Sequence, residues 1–270
     1  MKSQYISIGY VACVSGVMFF TSAQPVMAGA VVAHRAFYEM TIGEMDKNSS
    51  VLSVSGRSAY SLERDCDGWR SVEDYVIEFG SAGGNVQRIL SHFESWEADS
   101  GDKYSFDIDE KSTFDGSKQY SGFAQMTANG GNAFFNAELD ETVNLPDDTY
   151  FPMQHVEEII ESAHSGTRMI AASLFTGAEP EDALMTTNTV IGGWRISEAP
   201  KAFGDFAKEG FWPVHVAYFK PLATESEPSY EINFSLQPNG VVRDYEIDYG
   251  EFSIKANLLN VEKVGLPVCN

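Results

Sequence analysis

Cysteine, histidine and basic side chains are all scarce in this 270-residue chain. Lys plus Arg number 18 against 39 Asp plus Glu, a formal net charge of -21. Phosphate recognition runs on clustered Lys and Arg, so no nucleic-acid partner is expected. Docking on an anionic lipid surface is excluded on the same ground. The five histidines (His34, His92, His155, His164, His215) are scattered, with no H-E-x-x-H and no cysteine cluster, so neither a metal nor another cofactor is expected. His155 and His164 lie about two and a half helical turns apart and share no face. There is no G-x-S-x-G, no S-x-x-K with its companion motifs, and no C-x-x-C. Ser165 follows His164 directly, and adjacent helical residues point apart, so the two make no nucleophile–base pair.

The acids are plentiful but evenly spread, so no pair is singled out for glycoside hydrolysis. Asp107-Ile108-Asp109 with Asp115-Gly116 has part of a calcium loop. It places Ser112 where the turn glycine belongs and Lys118 where the bidentate glutamate belongs. Gly83-Gly84 and Gly192-Gly193 precede no helix start and read as hairpin or bulge glycines. No catalytic constellation emerges, and the chain is not expected to be an enzyme.

Long apolar runs are missing from residue 29 onward, so no membrane span is expected in the mature chain. The first 28 residues are different. Lys2 precedes a largely apolar stretch from Tyr5 to Phe20, broken by Gln24 and Pro25 and followed by Val26-Met27-Ala28. That is the pattern of a secretory signal, with cleavage after Ala28 or after Ala30. Cleavage removes Cys13 and leaves Cys66 and Cys269. In an oxidising compartment they most simply form one structural disulfide, two unpaired buried thiols being the alternative. No linker or repeat divides residues 29–270, which read as one domain.

What is abundant is apolar and aromatic residue: 43% hydrophobic and 13% aromatic, with 12 Tyr and 18 Phe. That supports a sizeable core and favours strands. Alternation of period two dominates from residue 33. Ala36, Tyr38, Met40 and Ile42 share one face, as do Tyr104, Phe106 and Ile108, and Trp212, Val214, Val216 and Tyr218. Tyr230, Ile232, Phe234 and Leu236 run into Pro238-Asn239-Gly240, a hairpin turn. Val241 to Tyr249 and Phe252 to Leu258 complete a three-strand meander. Further strands are predicted near 51–62, 72–79, 86–96, 119–127, 132–139, 169–175 and 184–191.

One segment departs from that pattern. Pro152 suits a helix start, Val156, Ile159, Ile160 and Ala163 make an apolar stripe, and Gly166 supplies the stop. Glu157, Glu158 and Glu161 take the opposite face, and early acids suit the positive end of the helix dipole. A second short helix is predicted at Lys201–Lys208. The fold class is therefore all-β and mainly antiparallel, with one main α-helix near 153–165. About a dozen strands curl into a β-spiral or open, barrel-like sheet. Tyr38, Tyr104, Phe106, Phe234 and Ile254 should point into one shared core or cavity, and the helix should plug or cover one opening.

Ordered short blocks carry a resemblance to a known family. They include His34-Arg35-Ala36-Phe37-Tyr38, Gly56-Arg57, Cys66-Asp67-Gly68-Trp69, Trp96-Glu97, Tyr104-Ser105-Phe106 and Gly122-Phe123-Ala124. Leu145-Pro146 through Phe151-Pro152 and His155, Pro228-Ser229-Tyr230, Asn239-Gly240-Val241, Asp248-Tyr249-Gly250 and Cys269 complete the set. It resembles the EipB-like cell-envelope integrity proteins of alphaproteobacteria, a domain-of-unknown-function family. Two departures stand out: Asp147-Asp148 where the family usually carries a glycine, and Phe175-Thr176-Gly177 where it has phenylalanine-aspartate-glycine.

The resemblance implies a β-spiral with one main helix, a Cys66–Cys269 disulfide and a periplasmic role in envelope integrity. It implies no catalytic residues. The expected function is a non-enzymatic scaffold or binding protein, engaging an envelope protein partner through an exposed apolar or aromatic patch. The alternative is a carrier with a lipid or lipoprotein acyl chain as ligand. Cys66-Asp67-Gly68-Trp69 reads as a stapled turn with a packed tryptophan. His34 and His155 should fix strand and helix ends by hydrogen bonds, and Trp194 and Trp212 should be core or rim aromatics.

Overall fold

The alternating stretches pair into a single sheet. The computed structural model describes residues 31–114, 116–136, 141–197, 203–204, 206, 210–221 and 227–269. The predicted signal, residues 1–28, lies outside them. Eight strands come first: β1 (His34–Met45), β2 (Val51–Arg64), β3 (Gly68–Ser81), β4 (Val86–Ala98), β5 (Lys103–Ser112), β6 (Gly116–Thr127), β7 (Gly130–Phe135) and β8 (Thr142–Leu145). After β9 (Thr149–Tyr150) comes the helix α1 (Pro152–Ser165). Then follow β10 (Met169–Phe175), β11 (Leu184–Ile191), β12 (Trp212–Phe219), β13 (Tyr230–Leu236), β14 (Val242–Asp248) and β15 (Phe252–Lys263). The described residues thus form 15 strands where about a dozen are predicted, because the short β8 and β9 carry too few residues to show a period. The strand predicted at 132–139 ends at Phe135. Of the second predicted helix only 203, 204 and 206 are described; they lie in a 3-10 turn.

Strand order is β8-β7-β6-β5-β4-β3-β2-β1-β15-β14-β13-β12-β11-β10-β9. Every pairing is antiparallel except β9 with β10. The two edge strands, β8 and β9, are consecutive in the chain and separated only by Pro146-Asp147-Asp148. That link joins the sheet's ends covalently and gives a nearly closed barrel. A register shift between Phe37 and Tyr38 sets Ala36 opposite Val261 and Tyr38 opposite Leu258, the local irregularity that increases strand twist and bending.

One face of every strand turns inward. The five side chains predicted to share a core are all buried or half-buried, but they fall into three clusters. Tyr38 and Ile254 pack with Ala36, Met40, Val54 and Ile77 around the β1–β15 seam. Phe234 lies against the cluster formed by α1 and β10–β13. Tyr104 and Phe106 pack with Phe135, Phe151 and Phe175 under β5–β8, Tyr104 stacked on Phe151 and Phe106 edge-on to Phe135. A barrel of this girth is too wide for one set of side chains to meet at its centre, so the interior is lined in patches.

The helix lies inside the curl. Ile159, Ile160 and Ala163 press on Leu174, Met185, Ile191, Trp212, Val214 and Val216 of the β10–β12 wall, and Gly166 ends the helix in the left-handed region (φ 88°). The acids expected near its start are not in its first turn. Their place is taken by a carboxyl from the opposite wall, described below.

Candidate functional site: the interior chamber and its helical floor

The start of α1 exposes unpaired N–H groups that need an acceptor. Glu97, at the end of β4, supplies both oxygens: Met153 N donates to Oε2 (2.7 Å) and Gln154 N donates to Oε1 (2.8 Å). Phe151 N donates to Gln154 Oε1 at 3.3 Å. Glu97 is only 3% exposed, and burial pushes its carboxyl up to about 7 despite the two N–H bonds that pull it down. The helix is therefore anchored across the interior, from the β4 wall at its start to Trp212 on β12, whose ring lies 4.8 Å from His164 near its end. His155 sits on the same helix, buried, with Nε2 3.4 Å from Thr189 Oγ1. Burial lowers its imidazole to about 4, so it is neutral.

Next to that anchor lies the Cys66–Cys269 disulfide, with Cα atoms 5.6 Å apart. Cys66 is in the β2–β3 turn, where Asp65 N bonds Gly68 O and Arg64 forms a two-point ion pair with Asp99. The Arg64 guanidinium lies 4.8 Å above the Trp69 ring, and Trp69 is within electrostatic reach of Glu157 on α1. The turn is stapled and its tryptophan packed, as the sequence implies. β15, β1 and β2 are already hydrogen-bonded neighbours, so the bridge reinforces the seam between the two ends of the chain, while the sheet's edges lie at β8 and β9.

Register across β2–β6 sets inward residues into rows. Tyr60 faces Glu73, then Phe93, Ile108 and Tyr120; the next row runs Ser58, Tyr75, Ser91, Glu110 and Lys118. From the other side Tyr38 and Tyr245 close in, their rings 5.3 Å apart. Tyr75 donates to Glu110 Oε2 at 3.1 Å, and Tyr38 donates to the Val242 carbonyl at 2.7 Å. Tyr60, Glu73, Tyr75 and Tyr245 all keep part of their surface accessible. Burial nevertheless raises the pKa of all four side chains. Partial access together with desolvation describes groups facing a narrow enclosed space rather than bulk water. Tyr249, 46% exposed, sets its ring against those of Tyr230 and Phe252.

Glu73 stands out within this chamber. Burial, with the neighbouring Asp74 charge, holds its carboxyl above the usual range. It is within electrostatic reach of Tyr38, Tyr60, Tyr75 and Tyr245, and no described residue forms an ion pair or hydrogen bond with it. The sequence reading missed both Glu73 and Glu97, since neither spacing nor motif separates them from the other acids.

His34 Nδ1 meets the Val32 carbonyl at 2.8 Å, fixing the start of β1. Trp212 is core and Trp194 is a half-exposed rim residue, their rings 4.8 Å apart. Asp107 and Asp109 lie on β5 on the face opposite Phe106 and Ile108. Among the described residues no three His, Cys, Asp or Glu side chains gather as metal ligands. No helix among them is long and apolar enough to cross a membrane. On the outer face, Phe123 and Phe134 stack at 5.1 Å, and a groove of about 550 Å³ runs past Phe37, Arg57, Val76, Leu90 and His92.

These features define a class: a curled antiparallel barrel, floored by one helix and stapled at its chain ends, with an aromatic interior. The EipB-like profile matches residues 25–265, and the chain belongs to that family. It is 28% identical over 250 residues to the cell envelope integrity protein EipB of Brucella abortus, covering 90% of this chain and 88% of that one. A crystal structure of a beta-barrel-like protein of domain of unknown function DUF1849 from Brucella abortus superposes with a TM-score of 0.82 at 27% identity. It covers 88% of this chain and 100% of the other.

Proposed function

We propose that the protein is a periplasmic, non-enzymatic scaffold or binding protein that supports cell-envelope integrity, exported by a signal cleaved after Ala28 or Ala30. The observation that carries this reading is kinship along nearly the whole chain with a relative named for envelope integrity. The exposed Phe123–Phe134 pair and the outer groove are the surfaces on which an envelope protein partner would rest. The test is complementation of a Brucella abortus strain lacking EipB, scored by survival in bile salts or detergent. Restored survival supports the role. Failure to restore it, with the protein present in the periplasm, counts against it.

A second reading is a carrier for a lipid or lipoprotein acyl chain. The partly accessible inner residues Phe79, Ile89, Phe93 and Ile108 favour it. Lipid extracted from the purified protein and measured by mass spectrometry separates the two: stoichiometric acyl lipid supports the carrier, and none supports the scaffold.

A further inference from the structure

Two features meet on the inward faces of the interior chamber. One is a desolvated carboxyl, Glu73, with no ion-pair or hydrogen-bond partner among the described residues. The other is a set of tyrosines around it. Tyr60 is its cross-strand neighbour on β2, and Tyr75 lies two residues along β3 on the same inward face. Tyr245 approaches from β14 with its ring against Tyr38. Ring faces attract a cation through their quadrupole, and more strongly once water is excluded. A carboxyl held in the same space adds a full opposite charge. Lysine or arginine would complete such a site from within. Lys118 is one row away and already paired with Glu179, and Arg57 belongs to the outward face of β2.

We propose that this chamber binds an organic cation, an ammonium group carrying methyl or methylene carbons, seated on Glu73 and ringed by Tyr60, Tyr75 and Tyr245. The rings take the apolar shell of the group and the carboxylate takes its charge. Metal ions are a poor match, because one carboxyl and three phenols supply too few hard oxygen ligands. A bare acyl chain is a poor match as well, since it leaves the carboxyl unpaired. The same ammonium chemistry occurs in free amines and in choline-type lipid headgroups. The site stands independently of the envelope role proposed above.

The test is calorimetric titration of the purified mature protein with choline and with its uncharged carbon isostere, in which a tert-butyl group replaces trimethylammonium. Choline is expected to bind and the isostere to bind at least about tenfold more weakly. Glu73→Gln should keep the melting temperature or raise it, and should weaken choline by about tenfold while leaving the isostere unchanged. Nuclear Overhauser contacts between choline methyl protons and tyrosine ring protons should locate the ligand, whatever the stability of the variant. A short-chain phosphatidylcholine forms a separate arm: tighter binding than choline assigns the group to a headgroup, weaker binding to a soluble amine. Equal affinity for choline and its isostere, unchanged choline binding in Glu73→Gln, or no binding up to about 10 mM would overturn the proposal. Complementation is read separately, so loss of this site leaves the envelope role standing.

Discussion

Gly68 shows how much one side chain decides here. A methyl at that position would sit 2.3 Å from the Glu97 carbonyl oxygen and 2.9 Å from Trp96 Cε2, so backbone would have to move. The displaced strand end is the one that carries the Glu97 carboxyl to the helix. Gly68→Ala should therefore cost about 1–3 kcal/mol, read as a lower midpoint in thermal unfolding. Gly177, in the segment that departs from the family pattern, has φ 75°, and a Cβ added there would sit 2.7 Å from Phe106 Cγ, so the glycine stays although the aspartate is gone. The resemblance marks both positions, but only coordinates say what they touch. Glu97 was illegible for a plain reason: its partner in the fold is 56 residues away, and no local rule pairs a strand carboxyl with a distant helix.

At the scale of the helix, the apolar stripe and its stop were readable because spacing alone sets them. The electrostatics of its first turn were not, since the charge comes from another element. That arrangement has a pH signature. Folded Glu97 holds its proton up to about 7, while an unfolded glutamate releases it near 4.5, so folding takes up a proton in that window and stability falls as pH rises through it. His155 acts in the opposite sense. Unfolded histidine takes a proton below about 6.5 and the folded residue resists until about 4, so stability falls as pH drops. Each contribution is of order 3 kcal/mol, and between pH 4.5 and 6.5 they offset one another. Urea unfolding at several pH values should show a nearly level parent contribution in that range. Glu97→Gln should show stability climbing with pH, and His155→Gln should show it declining.

For the molecule as a whole, alternation made the class of fold legible. The closing of the sheet was not legible, because it depends on β8 and β9, which together hold six residues. The three-patch interior was equally hidden, since period two tells which face is inward and not how far it is to the other wall. The disulfide spans a sequence separation of 203. In the loop-entropy account such a closure contributes about 5 kcal/mol, and measured values run at about 2–5. Cys66→Ser and Cys269→Ser should each lower the melting temperature by similar amounts, with the double variant no worse than either. A larger fall in the double variant would mean that one cysteine has a second role.

The strand order also sets a schedule. Every pairing but one joins strands that follow one another in the chain, as hairpins or longer antiparallel connections apart from the parallel β9–β10 crossover through α1; the exception is β1 with β15. The first strand made waits for the last. Until the final residues appear, the N-terminal meander displays a bare β1 edge of 12 residues, the kind of edge that recruits a neighbouring chain. His34 and Lys263 are paired across that late seam, so a short linker could turn β15 and β1 into an ordinary hairpin. A circular permutant opened at Asp147 would then have no long-range pairing left to wait for. It should refold faster and aggregate less than the natural order during dilution from urea, while reaching the same final structure.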